Sequence, residues 1–293
     1  MAKIYHADLW GSREDKYRYL TEHDITTVKW TEIFPKSPFY LFCPQDRNLL
    51  EEYDQGWKIT EILPVHSVGI VTARDNLTIK CSPQEVETTV KDFVSLPIEE
   101  ARIKYELGDD ARDWKVSLAQ EDLRNNSFQK SNIVPIIYRP FDTRYTYYTG
   151  QTRGFICMPR PEVMSNMLKE NLALISARSN KSQDCDHFYC SQFIMETKCG
   201  ESTTQSCLFP LYTYPNTKNQ QGNLFIEKSP NLSSDFIAAI RAKLGYIPTP
   251  EAIFYYIYAI FHSPTYRQRY AEFLKIDFPR VPLTSNDRLF KDL

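Results

Sequence analysis

Eighteen prolines against nine glycines constrain this 293-residue chain more than any other feature. A proline fixes φ and removes a backbone donor, so it opens helices, closes strands and keeps strand pairing short. Pro35, Pro38 and Pro44 confine Phe39-Tyr40-Leu41-Phe42 to a short apolar strand. Ser82-Pro83, Thr249-Pro250 and Ser263-Pro264 each join a capping hydroxyl to a proline at the first helical position, which predicts three helix starts. With so few glycines, a glycine-rich cofactor cradle is hard to build. The phosphate-loop, dinucleotide, nucleophile-elbow and His-Glu-x-x-His motifs are all absent from the sequence.

Further elements follow from periodicity and capping. Ile4 to Ala7 alternates as a strand, and Ser12 with Asp15 opens a helix over about Arg13 to His23. A helical pattern runs from Asp46 to Gln55 and ends at Gly56. Trp57 to Leu63 and Val68 to Ile79 predict strands, the second interrupted at Thr72 to Asn76. Helices are expected from Pro83, over Pro97 to Leu107 and over Ala111 to Arg124. Ile133 to Tyr138 and Arg144 to Thr149 are strand-like, joined through Arg139-Pro140-Phe141-Asp142. A helix over Pro161 to Glu170 precedes a strand over Leu172 to Ala177. Thr213 to Asn223 is the least ordered-looking stretch, and everything after Ser233 is helical. The fold class is therefore α+β, a mixed domain of helices and short strands with a C-terminal helical subdomain.

Composition narrows the function. At 42% hydrophobic and 14% aromatic with net charge −2, the chain can bury a core, which argues against disorder and against a uniformly basic coat protein. It has no apolar run of membrane-spanning length, and its first residues lack a signal-peptide pattern, so a cytoplasmic protein with seven reduced cysteines is expected. Cys185, His187, Cys190, Cys199 and Cys207 cluster, but their gaps fit no familiar zinc knuckle, so buried thiols are the preferred reading and no metal site is expected. The five histidines lie far apart and suggest no shared site.

Charge is segregated along the chain. Between Arg124 and Lys181 nine cations face three anions, a local +6 within a net −2. A nucleic-acid face on a nearly neutral protein needs such segregation, because phosphate neutralisation supplies most sequence-independent affinity. Within the window lies Tyr138-Arg139-Pro140-Phe141-Asp142-Thr143-Arg144-Tyr145-Thr146-Tyr147-Tyr148. Strand alternation sets Arg144, Thr146 and Tyr148 on one face and Tyr145 and Tyr147 on the other. Two readings stand side by side: arginines and tyrosines gripping DNA, or an ion-paired turn with tyrosines filling a core.

That segment, together with Gly69-Ile70-Val71-Thr72-Ala73-Arg74-Asp75, Leu208-Phe209-Pro210-Leu211-Tyr212, Ile253 to Arg267 and Phe278 to Leu283, resembles the C-terminal specificity region of Type ISP restriction-modification enzymes. The resemblance implies a target recognition domain that binds double-stranded DNA. Its partners would be adenine-N6 methyltransferase and helicase-like translocase domains, in the same polypeptide or as a separate chain. S-adenosylmethionine, ATP and Mg would belong to those domains, so this chain would hold no cofactor and catalyse nothing alone. Lys3 to Gly11 looks like the last edge of a methyltransferase sheet whose partner strands lie elsewhere. The implied division is residues 1–56 as methyltransferase edge and linker, 57–230 as recognition domain and 231–293 as helical subdomain. Arg139, Arg144 and Arg153 are the first candidates for DNA contact, with Tyr145, Tyr147 and Tyr148 for phosphate or stacking. Arg74, Arg178, Asn180 and Lys181 come next, and Asn180 and Gln183 are suited to adenine edges. The alternative is a docking module for a separate methyltransferase or translocase, motivated by the unpaired first strand and the aromatic C-terminal helices.

Overall fold

A computed structural model describes residues 2–37, 39–44, 48–182, 184–215 and 228–293. The fold is α+β, with short helices and five small sheets among the described residues. Contacts divide the chain into two units, residues 1–50 and 51–293.

In the first unit, Ile4–His6 pairs antiparallel with Thr31–Ile33. The first strand therefore has one partner within the chain, in a two-stranded sheet that leaves its other edge unpaired among the described residues. The Arg13–Glu22 helix forms as its Ser12 cap predicts, yet it buries none of its residues. Phe39 to Phe42 form no strand; they lie in turns and irregular backbone, and Tyr40 has φ +47.

In the second unit the strands used below are β1 (Ser67–Val68), β2 (Ile133–Arg139), β3 (Asp142–Tyr147), β4 (Ala173–Ala177), β5 (Phe188–Ser191), β6 (Ile194–Met195) and β7 (Ser206–Pro210). One sheet has the order β1-β7-β4-β5, and all its pairs are antiparallel. The other has the order β3-β2-β6, with β2 and β6 parallel. Ile70 bridges Glu196 and Val71 bridges Met158, so the segment after β1 ties the second sheet to the loop before Arg160.

The main helices of this unit are α1 (Pro83–Ser95), α2 (Ile98–Lys104), α3 (Val116–Asn125), α4 (Ser234–Leu244) and α5 (Pro250–His262). Ser82, Ser233 and Thr249 cap α1, α4 and α5 through their side chains, and Gly245 ends α4 in a left-handed conformation. Glu85 closes the start of α1 by accepting from the Cys81 amide rather than that of Ser82. Val86, Val90 and Phe93 of α1 and Ala119 and Leu123 of α3 enter one core with Ile136, Tyr147 and Phe155.

Several element expectations need correction. Trp57 to Leu63 forms a strand only at Trp57–Lys58, then turns helical at Ile59–Ile62, because Ile59 and Ile62 bury together one turn apart. The Ala111 helix starts at Val116, the strand expected after Thr72 to Asn76 is instead the helical turn Asp75–Thr78, and Pro161 to Glu170 divides into an α-turn and a 3₁₀ turn. The helix expected from Asp46 is seen over Leu50–Asp54, and its first positions lie outside the described residues, as does most of Thr213 to Asn223. Among the described residues no helix is long and apolar enough to cross a membrane.

Candidate nucleic-acid interface

The β2–β3 hairpin is exposed at its tip and buried at its root. Arg139 faces Asp142 across the two-residue loop Pro140-Phe141, and Ile133 faces Tyr147 at the other end. At the root, both faces of β3 enter the core. Thr146 and Tyr147 are buried, and so is Tyr148 just beyond the strand. The simple alternation therefore fails there, and Tyr147 and Tyr148 are corrected from candidate contacts to core residues. The Tyr147 hydroxyl accepts from the Gln129 amide at 2.8 Å, and that of Tyr148 donates to the Pro159 carbonyl at 2.9 Å. Neither ring reaches a base or phosphate without opening the core. Tyr145 is half-buried, and its backbone exchanges two 2.9 Å hydrogen bonds with Lys80.

At the tip, charge and rings interlock. The Tyr138 ring lies between two guanidinium groups, Arg139 at 3.9 Å and Arg144 at 4.3 Å from its centroid. Its hydroxyl donates to Asp75 at 2.8 Å, and burial followed by that bond raises its pKa. Arg139 donates to Glu196 at 2.7 Å and lies 3.9 Å from Asp75. Arg144 pairs with Asp142 at 2.9 Å, and this bond holds its guanidinium more firmly charged than usual. The ion-paired turn is therefore real, and both arginines remain about one-third exposed, as do Asp75 and Asp142 beside them.

The Thr72 to Asn76 loop links this tip to a second basic cluster. Asp75 faces Tyr138 and Arg139, while Arg74 stacks over Trp114 at 4.9 Å. Arg74 donates to the carbonyls of Ala73, Leu107 and Asp109, so most of its hydrogen-bonding capacity holds backbone in place. Beyond it a cleft of about 290 Å³ is lined by Arg112, Arg153 and Arg160 with Asp113 and Glu162. Arg153 and Arg160 occupy left-handed backbone, at φ +59 and +54, conformations that cost a non-glycine residue free energy. Arg153 donates to Asp113 at 2.9 Å while its side chain stays mostly exposed. The Arg160 Nε is buried without a hydrogen-bond partner among the described residues. Cys157 shares this cleft, and burial, then the Asp113 charge, push its thiol up against the opposing pull of Arg153, Arg160 and Arg74.

Of the sequence candidates, Arg139 and Arg144 stand at the hairpin tip, Arg74 holds backbone beside Trp114 and Arg153 lines the cleft; Arg112 and Arg160, which share that cleft, were not among them. Arg160 lay inside the basic window, whereas Arg112 preceded it, and nothing in its local sequence signalled a shared cleft. The remaining candidates make contacts of another kind. Arg178 pairs with Asp277 at 3.1 Å, Ser179 donates to the Lys275 carbonyl, and the Asn180 amide donates to Leu274. Asn180 is buried, so its side chain cannot meet an adenine edge as placed, and that expectation is corrected. Lys181 is exposed, and Gln183 lies outside the described residues. Burial raises Cys199 to about 12 and Cys207 to about 11, values of inert thiols. Among the described residues no group of three His, Cys, Asp or Glu is placed to hold a metal ion.

Comparison with known proteins gives this surface a context. The family model for the Type ISP C-terminal specificity domain matches residues 61–293. The fold is similar to a region of the DrdV–DNA complex, with TM-score 0.72 and 19% identity over 99% of this chain and 30% of that one. It is also similar to a nuclease-deletion mutant of the Type ISP restriction-modification enzyme LlaGI in complex with a DNA substrate mimic, with TM-score 0.64 and 23% identity over 99% of this chain and 23% of that one. The ATP-dependent Type ISP restriction-modification enzyme LlaBIII bound to DNA matches with TM-score 0.66 and 20% identity over 90% of this chain and 17% of that one. The chain thus spans less than a third of the length of these proteins. No curated protein matches it in sequence.

Proposed function

Because the chain belongs to the Type ISP C-terminal specificity domain family, we propose that it is the DNA target recognition part of a Type ISP-like restriction-modification enzyme. The observation that carries this reading is the pair of arginine clusters, Arg139 with Arg144 at the hairpin tip and Arg112, Arg153 and Arg160 around the cleft, on a chain of net charge −2. Its exposed ion pairs contribute little on their own, so a phosphate can replace Asp113 at Arg153, or Asp142 at Arg144, with small loss. Until then the carboxylates hold the guanidinium groups in place. Arg139 is less free, since Glu196 is buried and loses its partner if the arginine leaves. In this reading the domain grips duplex DNA so that one adenine is presented for flipping and methylation by another domain. S-adenosylmethionine, ATP and Mg act in those other domains, and this chain catalyses no step itself.

We further propose that residues 57–230 read DNA, that 231–293 brace them, and that 1–56 adjoin the methyltransferase. The docking reading survives in that last part. More than half of the exposed large apolar side chains among the described residues fall in the first unit, including Trp10, Ile25, Phe34 and Phe42. Such a surface is the kind another domain covers.

Selection from a random duplex pool with the 293-residue chain tests the proposal. A recovered sequence should bind with an affinity that falls steeply with salt, and absence of binding at about 50 mM salt would refute the reading. Arg153→Ala should weaken binding to all duplexes alike and flatten the log–log salt slope by about 1. Arg144→Ala should weaken binding to the selected duplex, and unchanged affinity would leave that arginine a purely structural part of the turn.

A further inference from the structure

The tip of the β2–β3 hairpin carries a side chain that its own fold does not explain. Phe141 occupies φ +60, a left-handed conformation suited to glycine or asparagine, and its ring is 98% exposed. A bulky aromatic is a poor choice there for the backbone, and it gains little from burial in return. Residues that break both local rules at once are where function is to be sought.

The platform beneath the ring is braced. The Arg139–Asp142 pairing closes the hairpin, the two guanidinium groups clamp Tyr138, and each is fixed in turn by Glu196 or Asp142. Phe141 meets Tyr189 edge-on with centroids 6.2 Å apart. It also walls a cleft of about 540 Å³ lined by Phe188, Tyr189 and Tyr258 with Asp186, His262 and Arg267. An exposed apolar ring thus stands at the tip of a braced hairpin whose Arg139 and Arg144, each paired with a carboxylate, are about one-third exposed, beside further aromatic surface. A nucleic acid matches this pattern, with phosphates for the guanidinium groups and a base step for the ring.

We propose that Phe141 is a wedge that enters the recognised duplex between neighbouring bases and unstacks them. This rests on the DNA-recognition reading and goes beyond it by assigning to one residue the distortion of the DNA rather than its grip.

The test places 2-aminopurine at successive positions of the selected duplex and follows its fluorescence on binding the 293-residue chain. The wild type should raise fluorescence at one step. Phe141→Ala should abolish the rise and weaken binding about tenfold, without changing the salt slope, because no phosphate contact is lost. Phe141→Trp should retain the rise. Circular dichroism and melting of Phe141→Ala should match the wild type, since the ring is outside the core. If the wild type binds with no rise at any position, or if Phe141→Ala keeps both rise and affinity, the wedge is overturned while DNA recognition stands. In the second case the ring serves a protein partner instead. A wild type that binds no duplex overturns the recognition reading itself, and the wedge with it.

Discussion

At the scale of the residue, the clearest tension lies at Glu196. Its carboxylate accepts from Arg139 and from the Lys198 amide, yet burial is the larger influence and raises its pKa above the ordinary 4.5. The folded state therefore holds this proton more readily than the unfolded chain, and the group's contribution to stability declines as pH rises through that window. Glu196→Gln keeps an acceptor and removes the charge. In urea melts at a series of pH values, the variant should gain on the wild type as pH rises from below 4.5. A variant that instead loses ground would show that the Arg139 pair outweighs burial. The same site shows what a sequence can and cannot disclose. The arginines and Asp142 are legible as a charged turn because they are neighbours in the chain. Glu196 is not, since it reaches Arg139 only through the parallel pairing of β2 with β6. The burial of Tyr147 and Tyr148 is hidden for a related reason: a tyrosine looks the same in sequence whether its hydroxyl meets a phosphate or a buried backbone group.

At the scale of the element, cap chemistry was the most readable signal. Ser82, Ser233, Thr249 and Ser263 each accept the expected backbone hydrogen bond, because an N-cap is decided within four residues. Short strands were less readable, since their partners are remote. Trp57 to Leu63 has strand-like composition, yet the Ile59 amide donates to the distant Pro279 carbonyl and the chain coils at once. Close approach of two backbones also leaves little trace beyond a glycine. A Cβ on Gly69 would stand 2.6 Å from the Glu196 carbonyl and the Thr197 nitrogen, and these are backbone atoms that cannot rotate away. Gly69→Ala should therefore loosen the bridge between Ile70 and Glu196 and cost about 1–3 kcal/mol, seen as a lower urea midpoint. An unchanged midpoint would mean that the bridge is not part of the cooperative structure.

At the scale of the whole molecule, the two units differ in how they satisfy apolar surface. Residues 51–293 bury an extended core, whereas the first unit buries Ile33 and leaves Trp10, Ile25, Phe34 and Phe42 exposed. A cleft of about 430 Å³ lined by Tyr5, Ile25 and Trp30 adds to that apolar surface. A helix with no buried residue and a two-stranded sheet gain little stability by themselves. The fold class was legible because it follows from periodicity summed over many elements. The contrast between units was not, because composition does not say which apolar residues meet one another. Deletion of residues 2–50 separates the two roles proposed for the chain. The remaining 51–293 should melt cooperatively, bind the selected duplex with affinity within about twofold of the full chain, and bind much less of an apolar dye such as ANS. Equal dye binding would place the sticky surface on the recognition part. Loss of duplex affinity would make the first unit part of the DNA grip rather than the seat of another domain.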